Sequence, residues 1–212
     1  MFNGRKLIIA TKHKKESVIA PILEKGLGVR CFTDETFDTD TLGTFTGEIE
    51  RKLDPIATAR QKCLSAMELS NCDLGVASEG SFGSHPTIFF ASADDEFLIF
   101  IDKKNNLEII ARELSMETNF NGSEIENEKD LLEFAEAVKF PSHGLILRRS
   151  KKDNNDIIKG ITKLQDLKKA FHLLHKKFNG VYAETDMRAM YNPSRMSVIE
   201  NTAKKLVAKV NS

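Results

Sequence analysis

Three stretches of the chain carry residue types suited to work on a phosphorylated ligand. The first is Thr11-Lys-His-Lys-Lys15, which sets hydroxyl, imidazole and ammonium groups between an apolar run and the start of a helix. Such a position suits an anion, because a helix start offers free N–H groups and the positive end of the helix dipole. The second is Leu74-Gly-Val-Ala-Ser-Glu-Gly-Ser-Phe-Gly-Ser84, where one carboxylate, Glu79, stands among Ser78, Ser81, Gly80 and Gly83. Short hydroxyls and glycines leave space for a ligand to approach the backbone. The third is Glu184-Thr-Asp-Met-Arg-Ala-Met-Tyr-Asn-Pro-Ser-Arg195. If Asn192 caps the last helix, Arg195 lies in its first turn, where a cation opposes the dipole and calls for an anion.

Hydrolysis of a phosphoanhydride needs basic groups on the phosphates, a metal to neutralise charge and a carboxylate to activate water. The candidate anion-binding residues are therefore Thr11, Lys12, Lys14, Ser78, Ser81, Arg188, Asn192 and Arg195, with arginine supplying bidentate geometry. Glu79 and Asp186 are the candidate catalytic residues and the candidate ligands of Mg²⁺. Each stretch also has a plainer reading: a solvated basic turn, a Gly/Ser turn between strands, and arginines paired with Asp186 and Glu184. The acidic stretch from Asp34 to Glu50 could add metal ligands, but it reads more naturally as a solvated cover.

Other chemistry is weakly represented. Val76-Ala-Ser78-Glu-Gly80 lacks the first glycine of a nucleophile elbow, although a serine esterase using Ser78 is a third reading. His172 and His175 share a helix face with Lys168, Lys169, Lys176 and Lys177, as a solvated face would. Neither a GxGxxG nor a P-loop occurs.

The elements that must position these groups follow from periodicity and caps. Arg5 to Ala10 reads as a buried strand, Glu16 to Lys25 as a helix interrupted by Pro21, and Val29 to Thr33 as a second strand. Asp54-Pro55 starts a helix whose apolar positions are Ile56, Ala59, Cys63 and Met67. Leu74 to Ala77 is a strand delivering a glycine loop, and Thr87 to Ser92, Glu96 to Asp102 and Leu107 to Leu114 read as hairpin strands. Asn119 to Glu128 reads as a polar loop, with Asn127 capping a helix that runs to Phe140. Gly144 to Arg148, Asp156 to Gly160 and Val181 to Glu184 read as strands, and Thr162-x-x-Gln165 as a capping box. Met196, Ile199, Ala203, Leu206 and Val210 give the last helix an apolar stripe.

This order predicts an α/β fold, a mixed β-sheet with helices packed on both faces. One α/β domain over residues 1–212 accounts for it, with a lobe over about 115–180 as an option. Ligands of such sheets lie beyond the carboxyl ends of strands, which is where all three stretches fall. Lys+Arg and Asp+Glu number 31 each, so no overall field favours nucleic acid or an anionic membrane. No apolar run is long enough to cross a bilayer, and three cysteines form neither a CxxC pair nor a disulfide framework. A cytoplasmic protein is expected. Its expected partners are a small phosphorylated ligand and, as an option, a second copy in a homodimer, with neither nucleic acid nor membrane.

Two resemblances rest on these residues. Asp38-Thr-Asp-Thr-Leu-Gly-Thr-Phe-Thr-Gly47, Ala77-Ser-Glu-Gly-Ser-Phe-Gly83, Thr185-Asp-Met-Arg-Ala189 and Asn192-Pro-Ser-Arg-Met196 resemble an uncharacterised family of bacterial proteins carrying a domain of unknown function. The first half is also similar to the inosine-triphosphatase-like nucleotide pyrophosphatases, through Ala10-Thr-Lys-His-Lys-Lys15, Ala57-Thr-Ala-Arg-Gln-Lys62 and Ala77-Ser-Glu-Gly80. That second resemblance implies an inosine-triphosphatase-like fold, with Glu79 as a metal-linked catalytic acid. It also implies a Mg²⁺-dependent hydrolase of nucleoside triphosphates, including non-standard ones, that releases pyrophosphate. The alternative is a non-catalytic module that binds a nucleotide or another phosphorylated ligand.

Overall fold

A computed structural model of the chain describes residues 1–34 and 54–212. The expected acidic cover from Glu35 to Glu50 lies outside the described residues. The chain forms two compact units, one of residues 1–116 and 196–212, the other of residues 117–195.

In the first unit a five-stranded sheet has the order β2-β1-β3-β4-β5. β1 (Lys6–Ala10) lies parallel to β2 (Arg30–Phe32) and to β3 (Leu74–Ser84). β3, β4 (Ser92–Asp102) and β5 (Leu107–Ser115) form an antiparallel meander. The sheet is mixed, as expected. α2 (Pro55–Leu69) packs on one face, where Ala59, Cys63, Ala66 and Met67 meet Ile8, Ala77 and Ile99. Its start is fixed by Asp54, whose carboxylate accepts the N–H groups of Ile56 and Ala57 at 3.0 Å.

On the opposite face lies α5 (Pro193–Asn211), which reaches β5 through Lys205 to Glu113 at 2.5 Å and Lys209 Nζ to the Ile110 carbonyl at 2.8 Å. α1 (Glu16–Leu27) meets the same helix where Gly26 abuts Val207. α1 runs through Pro21 because Ile19, Leu23 and Leu27 are all buried, and Gly28 ends it in the left-handed conformation at φ 69°. Helices therefore cover both faces.

The expected glycine loop is a strand. β3 continues to Ser84, paired residue by residue with β4 from Leu74↔Asp102 to Ser84↔Ser92. Residues Thr87 to Ala91, within the run expected as a strand, form the turn instead, and Ala93-Asp-Asp95, expected as a gap, lies inside β4. Glycine and serine are poor strand formers, but a continuous ladder partner outweighs that weak local preference.

The second unit has an antiparallel sheet of order β6-β9-β7-β8. Its strands are Gly122–Ile125, Leu145–Arg148 (β7), Ile157–Ile161 (β8) and Val181–Thr185 (β9). The first of these, β6, falls inside the stretch expected as a polar loop. Only Ile125 of its four residues is buried, so it shows no inward alternation. α3 (Glu128–Ala137) and α4 (Leu164–Phe178) share one core with Leu145, Leu147, Val181 and Ala183. Asn127 caps α3 as expected, accepting the Asp130 N–H at 3.0 Å. The capping box does not form: α4 starts at Leu164 with Lys163 at its cap and no side-chain bond there. Among the described residues, no helix is long and apolar enough to cross a membrane.

Candidate functional site

The parallel ladder of β1 and β3 ends at Ala10↔Ala77, and β3 continues beside β4 alone. Ser78 and Glu79 are the first residues past that end, level with the loop that leaves β1. Side chains alternate along a strand, so these neighbours project to opposite faces of the sheet, and each meets a lysine.

On one face Lys15, from the start of α1, donates from Nζ to Ser78 Oγ at 3.1 Å and lies 4.0 Å from Glu96 Oε2. Register puts Glu96 across from Gly80, and Asp94 two residues along β4 shares its face. Asp94 and Glu96 are fully buried and Lys15 is 4% exposed. On the other face Lys62 of α2 forms a short, buried ion pair with Glu79. Thr58, one turn earlier on α2, is buried there too. Burying charge costs several kcal/mol per ion unless it is well paired, and a plain core would use apolar residues. Two such systems flank β3 where its parallel ladder with β1 ends.

The loop between β1 and Lys15 is itself unusual. His13 and Lys14 are consecutive residues in the left-handed region, at φ 65° and 61°. Non-glycine residues adopt that conformation at a cost, and it concentrates at functional sites. Thr11 donates its hydroxyl to the Lys12 carbonyl at 3.2 Å, while Lys14 is exposed. Ser81 is half-buried and lies on the face of Glu79.

The remaining candidates belong to the second unit. Asp186 is fully buried and accepts from Arg188 Nε at 2.9 Å, Arg188 Nη2 at 2.6 Å and the Gly160 N–H at 3.0 Å. The Arg188 guanidinium lies 4.6 Å from the centre of the Tyr191 ring. Glu184 pairs with Arg148. Asn192 does cap the last helix, accepting the Arg195 N–H at 3.0 Å and donating to Asn119 at 2.8 Å. Arg195 is buried and donates to the Met187 carbonyl. Close by, His143 is bonded at both ring nitrogens, to Ser142 and Ser194 at 2.9 Å each. Burial lowers its pKa below the ordinary histidine value, and Lys139 adds to the shift. His172 is 3.0 Å from Glu128, on the exposed face expected for it.

The sequence reading passed over Lys62, Thr58, Asp94 and Glu96 as site residues and held Lys15 only as the last member of the stretch over residues 11–15. The acids were detectable in principle, since Asp94 and Glu96 hold the same period-two phase as Leu98 and Phe100.

Residues 62–212 match the family model described as Domain of unknown function (DUF6671). The chain belongs to that family. No curated protein matches it. The matched residues start at Lys62 and include Ser78, Glu79, Asp94 and Glu96, as well as the whole second unit. Among the described residues no group of three or more His, Cys, Asp or Glu side chains is placed to hold a metal ion.

Proposed function

We propose that the first unit binds a phosphorylated small molecule at the carboxyl end of β1, where its parallel ladder with β3 stops, and hydrolyses it, with nucleoside triphosphates as the substrate class. The observation that carries this reading is the pair of buried lysines, Lys15 and Lys62, held on either side of β3 at Ser78 and Glu79. Lysines act as point charges on phosphates, and the loop from Thr11 to Lys14 adds a hydroxyl and further ammonium groups. Glu79 orients a water that attacks phosphorus; the phosphoanhydride bond breaks, leaving nucleoside monophosphate and pyrophosphate. The reading rests on the first unit alone. Asp186, Arg188, Asn192 and Arg195 are engaged in bonds within the second unit. The three cysteines are free thiols, in keeping with a reducing cytoplasm.

The purified chain is incubated with a panel of standard and deaminated nucleoside triphosphates, with Mg²⁺ and with chelator, and pyrophosphate is measured. Turnover that falls in Lys14→Ala, an exposed position, and in Glu79→Gln supports the proposal. Background pyrophosphate with every nucleotide, or unchanged turnover in folded Glu79→Gln protein, rejects it.

A second reading, a non-catalytic phospholigand-binding module, is favoured by the commitment of Glu79 to Lys62. A rise in Tm with nucleotide, without product, selects that reading.

A further inference from the structure

At the other end of the same sheet, where β1 and β3 begin, the first unit has a cavity of about 940 Å³. Its size lies at the upper end of the range of small-molecule sites. Lys6 and Arg30 stand side by side as register partners on β1 and β2. Like charges directly across a ladder repel, so this pairing costs stability unless an anion lies over it. Lys104, in the turn after β4, adds a third cation to the lining. Among the described residues none of the three has a carboxylate partner. Arg5, by contrast, is occupied by Asp102 at 2.7 Å and Asp73 at 3.1 Å, so it adds little to the charge of the other three.

The wall beside these cations is apolar. Phe32 is two residues from Arg30 and so shares its face, and both Phe32 and Cys72 pack against the core beneath α2. The end of α2 does not repel an anion strongly, because Ser70 bonds the Ala66 carbonyl through its N–H at 3.0 Å and its hydroxyl at 2.6 Å.

We propose that this cavity is a second binding site, one that takes a small anion carried on a flat apolar ring. The anionic group lies over Lys6, Arg30 and Lys104 and the ring lies against Phe32 and Cys72. An aromatic carboxylate and a nucleoside monophosphate share that chemistry. The proposal is independent of hydrolysis at the opposite end of the strands.

Cys72 is the reporter. Burial pushes the pKa of Cys31 and of Cys63 up to about 12, which leaves them almost no thiolate near neutral pH. Alkylation of Cys72 by iodoacetamide is followed by peptide mass spectrometry at matched ionic strength, with phenyl phosphate, inorganic phosphate, benzyl alcohol, benzoate or adenosine monophosphate present. Phenyl phosphate is expected to slow the reaction several-fold, more than inorganic phosphate or benzyl alcohol. The combined variant Lys6→Ser, Arg30→Ser, Lys104→Ser changes only exposed side chains and is expected to lose that protection without a fall in Tm. Stronger protection by benzoate or by adenosine monophosphate identifies the source of the ligand. Absence of protection by phenyl phosphate, protection that survives in the combined variant, or protection by inorganic phosphate equal to that of phenyl phosphate overturns the proposal.

Discussion

Lys15 and Ser78, 63 residues apart in sequence, meet at 3.1 Å where the parallel part of the sheet ends. The bond fixes a lysine beneath a strained loop and brings its ammonium within 4.0 Å of a fully buried glutamate, Glu96. Lys15→Met removes that cation from Glu96, whereas Ser78→Ala removes only a neutral hydrogen-bond partner. The expected losses in unfolding free energy are about 3 kcal/mol for Lys15→Met and about 1 kcal/mol for Ser78→Ala. Urea denaturation of both variants measures the two values; equal losses would show that the charge of Lys15 contributes nothing beyond the hydrogen bond.

The Lys62–Glu79 pair allows a double-mutant cycle. Each single change, Lys62→Met or Glu79→Leu, leaves one buried charge without its partner and is expected to cost about 3–5 kcal/mol. The double variant replaces both with apolar side chains of similar size beside Ala59 and Cys63, and is expected to recover most of that loss. Additive losses in the double variant would mean that the two residues are not energetically coupled.

The sequence made the framework legible where local chemistry was strong. Asp54-Pro55 and Asn192-Pro193 each cap a helix as their residue types require. The same local reading misplaced the stretch from Ser78 to Ser84, because the partner that makes it a strand lies in Ser92–Asp102 and serine and glycine carry no periodic pattern of their own. Lys62 was legible only as part of a helix, since nothing within α2 indicates a carboxylate 17 residues further on. Asp186 and Arg188 stand two residues apart and form the internal pair that was the plainer reading of that stretch. The left-handed pair His13 and Lys14 had only a weak sequence mark, since histidine is enriched in that conformation but lysine is not.

Asp102 makes stability depend on acid. The Arg5 guanidinium holds its carboxyl down to about 2, against desolvation that acts the other way, and Asn105 adds a further hydrogen bond. A carboxylate with a depressed folded pKa contributes stability that is full above its unfolded value of 3.8 and is lost as pH falls toward about 2. Its contribution at neutral pH is about 2 kcal/mol. Asp102→Asn is therefore expected to be destabilised by about that much at neutral pH, with the gap to the wild type closing as urea titrations move below about pH 4. A gap that stays constant down to pH 3 would separate the loss from the ionisation of Asp102.

His143 works in the opposite region of pH. The Ser194 N–H donates to its Nε2 at 3.3 Å, so that nitrogen is the unprotonated one and the proton sits on Nδ1, facing Ser142 Oγ. Ser142 passes its own hydroxyl hydrogen to the Lys139 carbonyl at 2.6 Å, which completes a chain that only neutral histidine supports. Burial and Lys139 lower the folded pKa below the ordinary value of 6.5. Above 6.5 both the folded and unfolded states leave the ring neutral and nothing is lost; below it the unfolded chain takes a proton that the folded chain resists, and stability falls as the pH drops. The midpoint of urea unfolding is expected to fall between about pH 7.5 and 5.5 in the wild type and to fall less in His143→Gln, which cannot titrate. Nitrogen NMR at neutral pH is expected to show His143 protonated at Nδ1; an Nε2-protonated ring, or an undiminished pH slope in His143→Gln, would break the chain from Ser194 to Lys139.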